Sequence, residues 1–325
     1  MIYAGIDEAG YGPMFGPLVI SRSVFAVTSD EYSSSSPPPL WRLLKGAVCK
    51  KTADKKKRIA VNDSKKIYNP SAGLRHLERG VLPFVMNAGY KPENMNSLLC
   101  ALGLDEESYT PCQEWNESKD GSPKLPFAVD TQNILQCAAK LEKNMLYSRV
   151  KLENLKAAVI FADRFNRITG SLRSKSGCTW VFVSQHLEDI WNAYGSQTPL
   201  VVVDRQGGRR DYLRLLNILF PFADVEETKM DINSRIYDIA FQEKSMKVMF
   251  QVDSEKHHLP AALASMTSKY LRELCMLRFQ EFWRIHAPDV RPTFGYFGDG
   301  RRFLNDISSY IDLLGIDKDK LIRRC

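Results

Sequence analysis

The sequence predicts a layered domain of the α/β or α+β class, because strand-like and helix-like stretches alternate along one chain. Short apolar runs such as Ala157–Ala162 and Leu200–Val203 have the length of buried strands. They fall far short of the roughly 18–20 residues that cross a bilayer. Between them lie stretches with helical spacing, such as Ile134, Leu135, Ala138, Leu141 and Met145. The chain has 325 residues, 44% hydrophobic, 26% charged and 10% aromatic, so it can bury a sizeable core. That composition excludes wholesale disorder and a fibrous chain. At roughly 150 residues per domain the length allows one large domain or two. Motifs spread along the whole chain favour a single domain over 1–325, with inserted loops near 28–60 and 100–200.

The elements follow in order. Ile2–Ile6 and Leu18–Val27 read as two strands around a glycine-rich turn. Ser33–Pro39 is low in complexity and reads as an exposed loop. Leu40–Val48 reads as a short helix, and a basic run with Lys50, Lys51, Lys55, Lys56, Lys57 and Arg58 comes next. Tyr109–Pro126 is polar, contains Pro and Gly, and reads as a surface loop. Thr131–Val150 has helical spacing, Lys156–Ala162 is a strand, Val183–Tyr194 a helix, Pro199–Val203 a strand and Asp211–Leu219 a helix. Ser234–Phe241 and Lys247–Val252 alternate like the arms of an antiparallel pair. Leu259–Ile285 is one long helical stretch, and Arg301–Leu314 a terminal helix.

The formal charge of +7 tilts a partner toward polyanions. The basic run Lys50–Arg58 most often marks a solvated loop. Seven scattered cysteines without a C-x-x-C pair imply a reduced, cytoplasmic chain with neither zinc site nor disulfide framework. The first residues lack a basic segment, so no secretory signal is expected.

Acids stand where chemistry is expected. Asp7 and Glu8 sit where an apolar strand meets a glycine turn, and loops at strand ends carry function. Adjacent strand residues point to opposite faces, so the two share a site only if the pleat breaks, which Ala9-Gly10 permits. Asp204 follows the buried-type strand Leu200–Val203, and Asp163 follows Ala158–Ala162. Either can equally be a turn former or helix cap. Glu273 shares a helix face with Ser265, Lys269 and Arg272. That face is a cleft lining or a solvated stripe with a Lys269–Glu273 pair. Three or four such carboxylates suit two hard divalent cations, Mg²⁺ or Mn²⁺. Two cations roughly 4 Å apart can activate water against a phosphodiester. The adjacent His257 and His258 cannot easily converge on an ion.

Gly5-Ile6-Asp7-Glu8-Ala9-Gly10-x-Gly12-Pro13-x-x-Gly16-Pro17 closely resembles the first motif of type 2 ribonucleases H, the ribonuclease HII/HIII group. Asn62-Asp63-Ser64-Lys65-Lys66 is similar to the next motif, Ala264–Glu273 to the helical motif, and Gly295-Tyr296 to the Gly-Tyr motif. The resemblance implies a ribonuclease H-like fold, with a mixed central sheet flanked by helices. It implies metal-dependent endonucleolytic cleavage of RNA paired with DNA. Asp7, Glu8 and Glu273 would be three of four carboxylates. Asp204 is preferred as the third in chain order, with Asp163 the alternative. Glu273 leans toward the HIII branch. Tyr11 replaces the family's Arg or Lys between two glycines, which puts selectivity at the RNA–DNA junction in question. The family histidine after Gly-Tyr is replaced near Arg301. Motif one starts at residue 5, without the N-terminal extension typical of HIII.

A hybrid-specific enzyme must read the 2′-hydroxyl. Backbone amides at Gly10, Tyr11 and Gly12 are candidates, and Tyr296 can stack on a sugar or base. Lys65, Lys66, Lys269, Arg209, Arg210, Arg301 and Arg302 are candidate phosphate contacts. The expected partner is nucleic acid, either an RNA–DNA hybrid or a duplex containing a ribonucleotide, bound by a monomer without a membrane. Two other readings stand beside it. One is a ribonuclease H-fold binding protein with a repurposed or inactive site, motivated by Tyr11. The other is a nuclease for another structured nucleic acid. Retention of every acid argues against the binding protein.

Overall fold

The computed structural model describes residues 1–29, 31–104, 115, 123–206 and 208–324. Its strands are β1 (Ile2–Ala9), β2 (Leu18–Val27), β3 (Val48–Cys49), β4 (Ile59–Ala60), β5 (Val150–Ile160), β6 (Leu200–Asp204), β7 (Asp224–Met230), β8 (Ser234–Phe241) and β9 (Lys244–Gln251). Seven form one sheet in the order β5-β2-β1-β6-β9-β8-β7, while β3 and β4 pair separately. The β1–β6 and β6–β9 ladders are parallel, and the remaining ladders of the large sheet are antiparallel. Helices cover both faces. The expected class, α/β with a mixed central sheet flanked by helices, is what the chain adopts.

Strand parity decides which core each residue joins. Tyr3, Leu200 and Val202 face the long helix Leu259–His286, in a cluster with Leu259, Ala262, Leu263 and Met266. Ile2, Ala4, Ile6, Val201 and Val203 face the helix Lys175–Tyr194, packing with Phe182, Val183 and Leu187. The long helix crosses β1 so closely that a Cβ at Gly5 would lie 2.1 Å from the Ala261 nitrogen. A third cluster of Met14, Phe15, Phe279, Trp283 and Phe303 fastens the C-terminal helices to the turn after β1.

Several elements differ from expectation for local reasons. β1 runs on through Asp7, Glu8 and Ala9, which pair with Ser21, Ile20 and Val19. β5 starts at Val150, and the preceding helix stops at Tyr147. The helix expected from Val183 begins at Lys175, capped by Ser174. Leu40–Val48 is helical only over Leu40–Leu43, because Val48 joins β3. The terminal helix divides at Ile307 into Phe297–Asp306 and Ser308–Leu314. The edge strand β7 is mostly exposed and polar, so no apolar alternation announced it. The helix Arg75–Asn87 carries Gly80 and Pro83 inside it, which hid it. Of the Tyr109–Pro126 loop, residues 109–114 and 116–122 lie outside the described residues, as do Gly207, Cys112 and Cys325. Among the described residues no helix is long and apolar enough to cross a membrane.

Candidate active site at the strand ends

β1 and β6 are parallel neighbours in which Ile6 pairs with Val203. The next residues, Asp7 and Asp204, therefore leave the carboxyl ends of the two strands side by side. Both have the parity that faces the long helix. Glu8 leaves on the opposite face, and the pleat between them does not break. The two acids are joined instead at the strand ends, where Asp204 acts on both. Open α/β sheets place ligands at such carboxyl ends.

Asp7 is buried, and its Oδ1 accepts from the Glu8 amide at 2.7 Å. The long helix donates a Ser268 hydroxyl to the Asp7 carbonyl at 3.0 Å. Asp204 Oδ1 accepts from the Ser254 amide at 3.0 Å. Burial pushes the Asp7 carboxyl well above the usual range, and the charges of Asp204, Glu8 and Glu255 push further. Burial and then Asp204 raise Glu8 to about 8, against the opposing pull of Lys65. Asp204 is raised by burial, while the hydrogen bond from the Ser254 amide opposes the shift. Crowded like charges in a low dielectric give these directions.

The Asn62–Lys66 segment comes to the same place. Asp63 caps the short helix Ser64–Ile67 by accepting from the Lys65 amide at 2.9 Å. Ser64 is bonded to Ser265 on the long helix at 3.0 Å. Lys65 is exposed, and its charge acts on Glu8 and Asp204, which puts a cation at the mouth of the acids.

Glu273 stands apart from this group. Its Oε1 accepts from Lys269 Nζ at 2.7 Å and from the buried Arg272 guanidinium at 2.8 Å. It lies five residues beyond Ser268, roughly 7.5 Å along the helix. Arg272 packs under Gly10 and reaches the carbonyls of Phe15 and Phe294. Lys269 also lies 4.5 Å from the centre of the Tyr68 ring. Burial and the neighbouring Glu273 push the Tyr68 hydroxyl up to about 12. Tyr296, 56% exposed, is close enough for its hydroxyl to act on Tyr68.

Asp163 is not brought to the acids. It sits in the first turn of the helix Ala162–Leu172, 3.4 Å from Arg167. That helix follows the edge strand β5, two strands from β1 and three from β6. At ~4.8 Å per strand this is roughly 10 and 14 Å across the sheet.

Around the turn after β1, Gly10 adopts φ +87° and Gly12 faces open space. Tyr11 is half-buried, its hydroxyl raised by burial and then by Glu8, while Arg209 opposes. Lys66, Arg210 and Arg301 are exposed, Arg301 lying over the Phe297 ring. Arg302 is committed to Asp299, Asp306 and the carbonyls of Arg291 and Pro292, so no guanidinium is left for phosphate. His258 bridges Tyr3 and Gln251, and burial lowers it to about 4, so it is a neutral structural group.

Sequence reasoning missed two residues. Tyr68 follows the lysine motif without belonging to it. Glu255 sits in the single turn Ser254–Lys256, 5% exposed, and is pushed up to about 7 by burial and then Asp204. An acid in a short turn gives no periodic signal. The oxygen-rich, mutually repelling set at the strand ends suits a hard divalent cation in chemistry. As the side chains stand, no three His, Cys, Asp or Glu among the described residues form a group that could hold one.

No family model matches the chain, and no curated protein matches it. Solved structures similar to it include ribonuclease HII in a complex with PCNA from Archaeoglobus fulgidus, at 13% identity and TM-score 0.43, covering 99% of this chain and 93% of the other. Ribonuclease H2 from Pyrococcus horikoshii is similar at 13% identity and TM-score 0.45, covering 99% and 92%. Bst-RNase HIII in complex with Mn²⁺ is similar at 12% identity and TM-score 0.44, covering 99% and 66%.

Proposed function

We propose that this chain is a metal-dependent endonuclease of the type 2 ribonuclease H kind, hydrolysing the RNA strand of RNA–DNA hybrids. The observation that supports it best is the parallel register that sets Asp7 beside Asp204, with Glu8 at the same strand end. The helical motif Ala264–Glu273 and the Asn62–Lys66 segment, joined by the Ser265–Ser64 hydrogen bond, add to it.

In this reading Asp7, Glu8 and Asp204 would hold Mg²⁺ or Mn²⁺ at the strand ends, and Glu273 would join them only on leaving Lys269 and Arg272. When bound, such a cation supplies an acidified water for attack and charge to steady the leaving oxygen. The Glu8 amide orients the Asp7 carboxylate, and the Ser254 amide orients Asp204. Lys65 and Lys66 take phosphate at the mouth of the site. The amides of Gly10, Tyr11 and Gly12 read the ribose, and Tyr296 stacks on a sugar or base. Lys269 and Arg272 restrain Glu273 through its Oε1.

That restraint favours one other reading, a nucleic-acid-binding protein that does not cut. Cleavage separates the two. A labelled RNA–DNA hybrid and a DNA duplex with one ribonucleotide are incubated in Mg²⁺ or Mn²⁺. Cutting that disappears in Asp7→Asn and Glu273→Gln supports the nuclease. Well-folded protein that binds both duplexes and cuts neither overturns it.

A further inference from the structure

A cavity of about 460 Å³ opens between the loop 52–57 and the starts of two helices, Arg75–Asn87 and Thr131–Tyr147. Lys57, Arg75, His76 and Arg79 line it. Arg79 is fixed in place. Its Nε donates to Asn133 Oδ1 at 3.0 Å, and a terminal nitrogen donates to the Lys57 carbonyl at 2.5 Å. Among the described residues the Lys57 ammonium, the Arg75 guanidinium and the His76 ring have neither a hydrogen bond nor an ion pair.

Two acids also line the cavity, Asp54 and Asp130. Arg58 takes up the first, donating to its Oδ1 at 2.8 Å and its Oδ2 at 3.1 Å. Those bonds hold the Asp54 carboxyl well below the usual range. Asp130 caps its helix by accepting from the Asn133 amide at 3.2 Å. The fixed charges of Lys57, Arg75 and Arg79 therefore outweigh the acids that face them. His76 registers the imbalance: burial and then the charges of Arg75 and Arg79 lower its ring. Cations crowded without a counter-charge repel one another, and a bound anion relieves them.

The same basic segment reaches the edge of the acid site. Lys50 donates to the Lys256 carbonyl at 2.8 Å. Its ammonium is lowered by burial and then by the charge of Lys66. Lys57 is seven residues further along the chain, so the two Cα atoms are at most about 24 Å apart. Each strand of a duplex offers a phosphate about every 3.4 Å along the axis. A strand held at Lys66 thus has another phosphate within reach of the cavity in about seven base pairs or fewer.

We propose that this cavity is a second phosphate site, in which Lys57, Arg75 and Arg79 take a backbone phosphate of a nucleic acid that also passes the strand-end acids. It rests on the proposed function only in taking the ligand to be nucleic acid, and it stands whether or not that strand is cut.

The test is binding of a labelled DNA duplex without ribonucleotides to the full chain, in Mg²⁺ across a salt series. Arg75→Gln and Lys57→Gln alter exposed side chains without partners and should melt as the parent does. Each should lower affinity at low salt by up to about tenfold, the scale of one charged hydrogen bond. Each should also reduce the log–log salt slope by about 0.9, the signature of one lost phosphate contact. Lys151→Gln removes the same charge from an exposed lysine paired to Glu153, and should leave the slope as it was. Parental affinity and slope in both cavity variants overturn the inference and leave the proposed function standing. Inorganic phosphate, titrated by calorimetry into the parent and Arg75→Gln, separates the other source. Arg75-dependent binding of free phosphate with a parental duplex slope would make this a small-anion site and overturn the backbone assignment. A parent chain that binds no duplex overturns the inference together with every nucleic-acid reading.

Discussion

Asp7 and Asp204 are the residues that follow Ile6 and Val203, a paired position in the parallel β1–β6 ladder, so their carboxylates leave the sheet together on the face of the long helix. The expected result is that Asp204→Asn, like Asp7→Asn, lowers hybrid cleavage by on the order of 10²–10³-fold or more, the scale of losing one fixed electrostatic group. Asp163→Asn should retain most activity, since its partner is Arg167. Single-turnover cleavage rates decide it, and equal loss in Asp163→Asn would refute the assignment.

Stability should fall as pH rises in metal-free protein. Glu8 is raised to about 8 and Glu255 to about 7, with Asp7 and Asp204 raised too. A raised acid binds more protons folded than unfolded between its ordinary pKa and its raised one. Its contribution therefore favours the folded state below that window and is lost as pH climbs from about 4.5 toward 8. Mg²⁺ or Mn²⁺ requires the ionised acids, so the metal-induced rise in Tm should be larger at pH 8 than at pH 5.5. Melting curves with and without chelator, compared between the parent and Asp204→Asn, measure both effects.

Gly10→Ala should destabilise the fold and disable the turn after β1. Gly10 has φ +87°, and an added Cβ would lie 2.5 Å from the Pro17 carbonyl and 2.8 Å from Arg272 Cδ. The left-handed backbone alone costs about 1–2 kcal/mol for an L residue. The clash with backbone adds to that. Gly12→Ala meets nothing within 4 Å and should keep parental stability. Chemical denaturation of the two variants gives the comparison.

Tyr11→Arg should tighten duplex binding by about tenfold, the scale of one added hydrogen bond from a charged group. The salt dependence should steepen by about 0.9 in log–log slope if the new cation reaches one phosphate. Tyr11→Phe should leave the slope unchanged. Affinities of both variants across a salt series check this, and a parental slope in Tyr11→Arg would remove Tyr11 from the nucleic-acid path.

The sequence carried the acids and their local settings. Asp7, Glu8 and Asp204 were legible because each ends a short apolar strand. The Ser265–Glu273 face was legible because a helix repeats every 3.6 residues. The polar edge strand β7 and the helix around Gly80 and Pro83 were not, since neither has the apolar rhythm of a one-sided element.

By itself, then, the sequence determined a layered α/β chain with carboxylates at strand ends, because strand length, helical period and glycine turns are properties of neighbouring residues. Tertiary structure alone decided which acids meet. Asp204 rather than Asp163 lies beside Asp7 because β6, not β5, is the parallel neighbour of β1. Glu8 joins from the opposite face without a break in the pleat. Glu255 is buried in the turn whose Ser254 amide holds Asp204, while Glu273 is taken up by Lys269 and Arg272. Those outcomes depend on hydrogen-bond register between strands nearly two hundred residues apart and on which side chains fill the space between sheet and helix. Neither quantity is encoded in any local stretch of the chain.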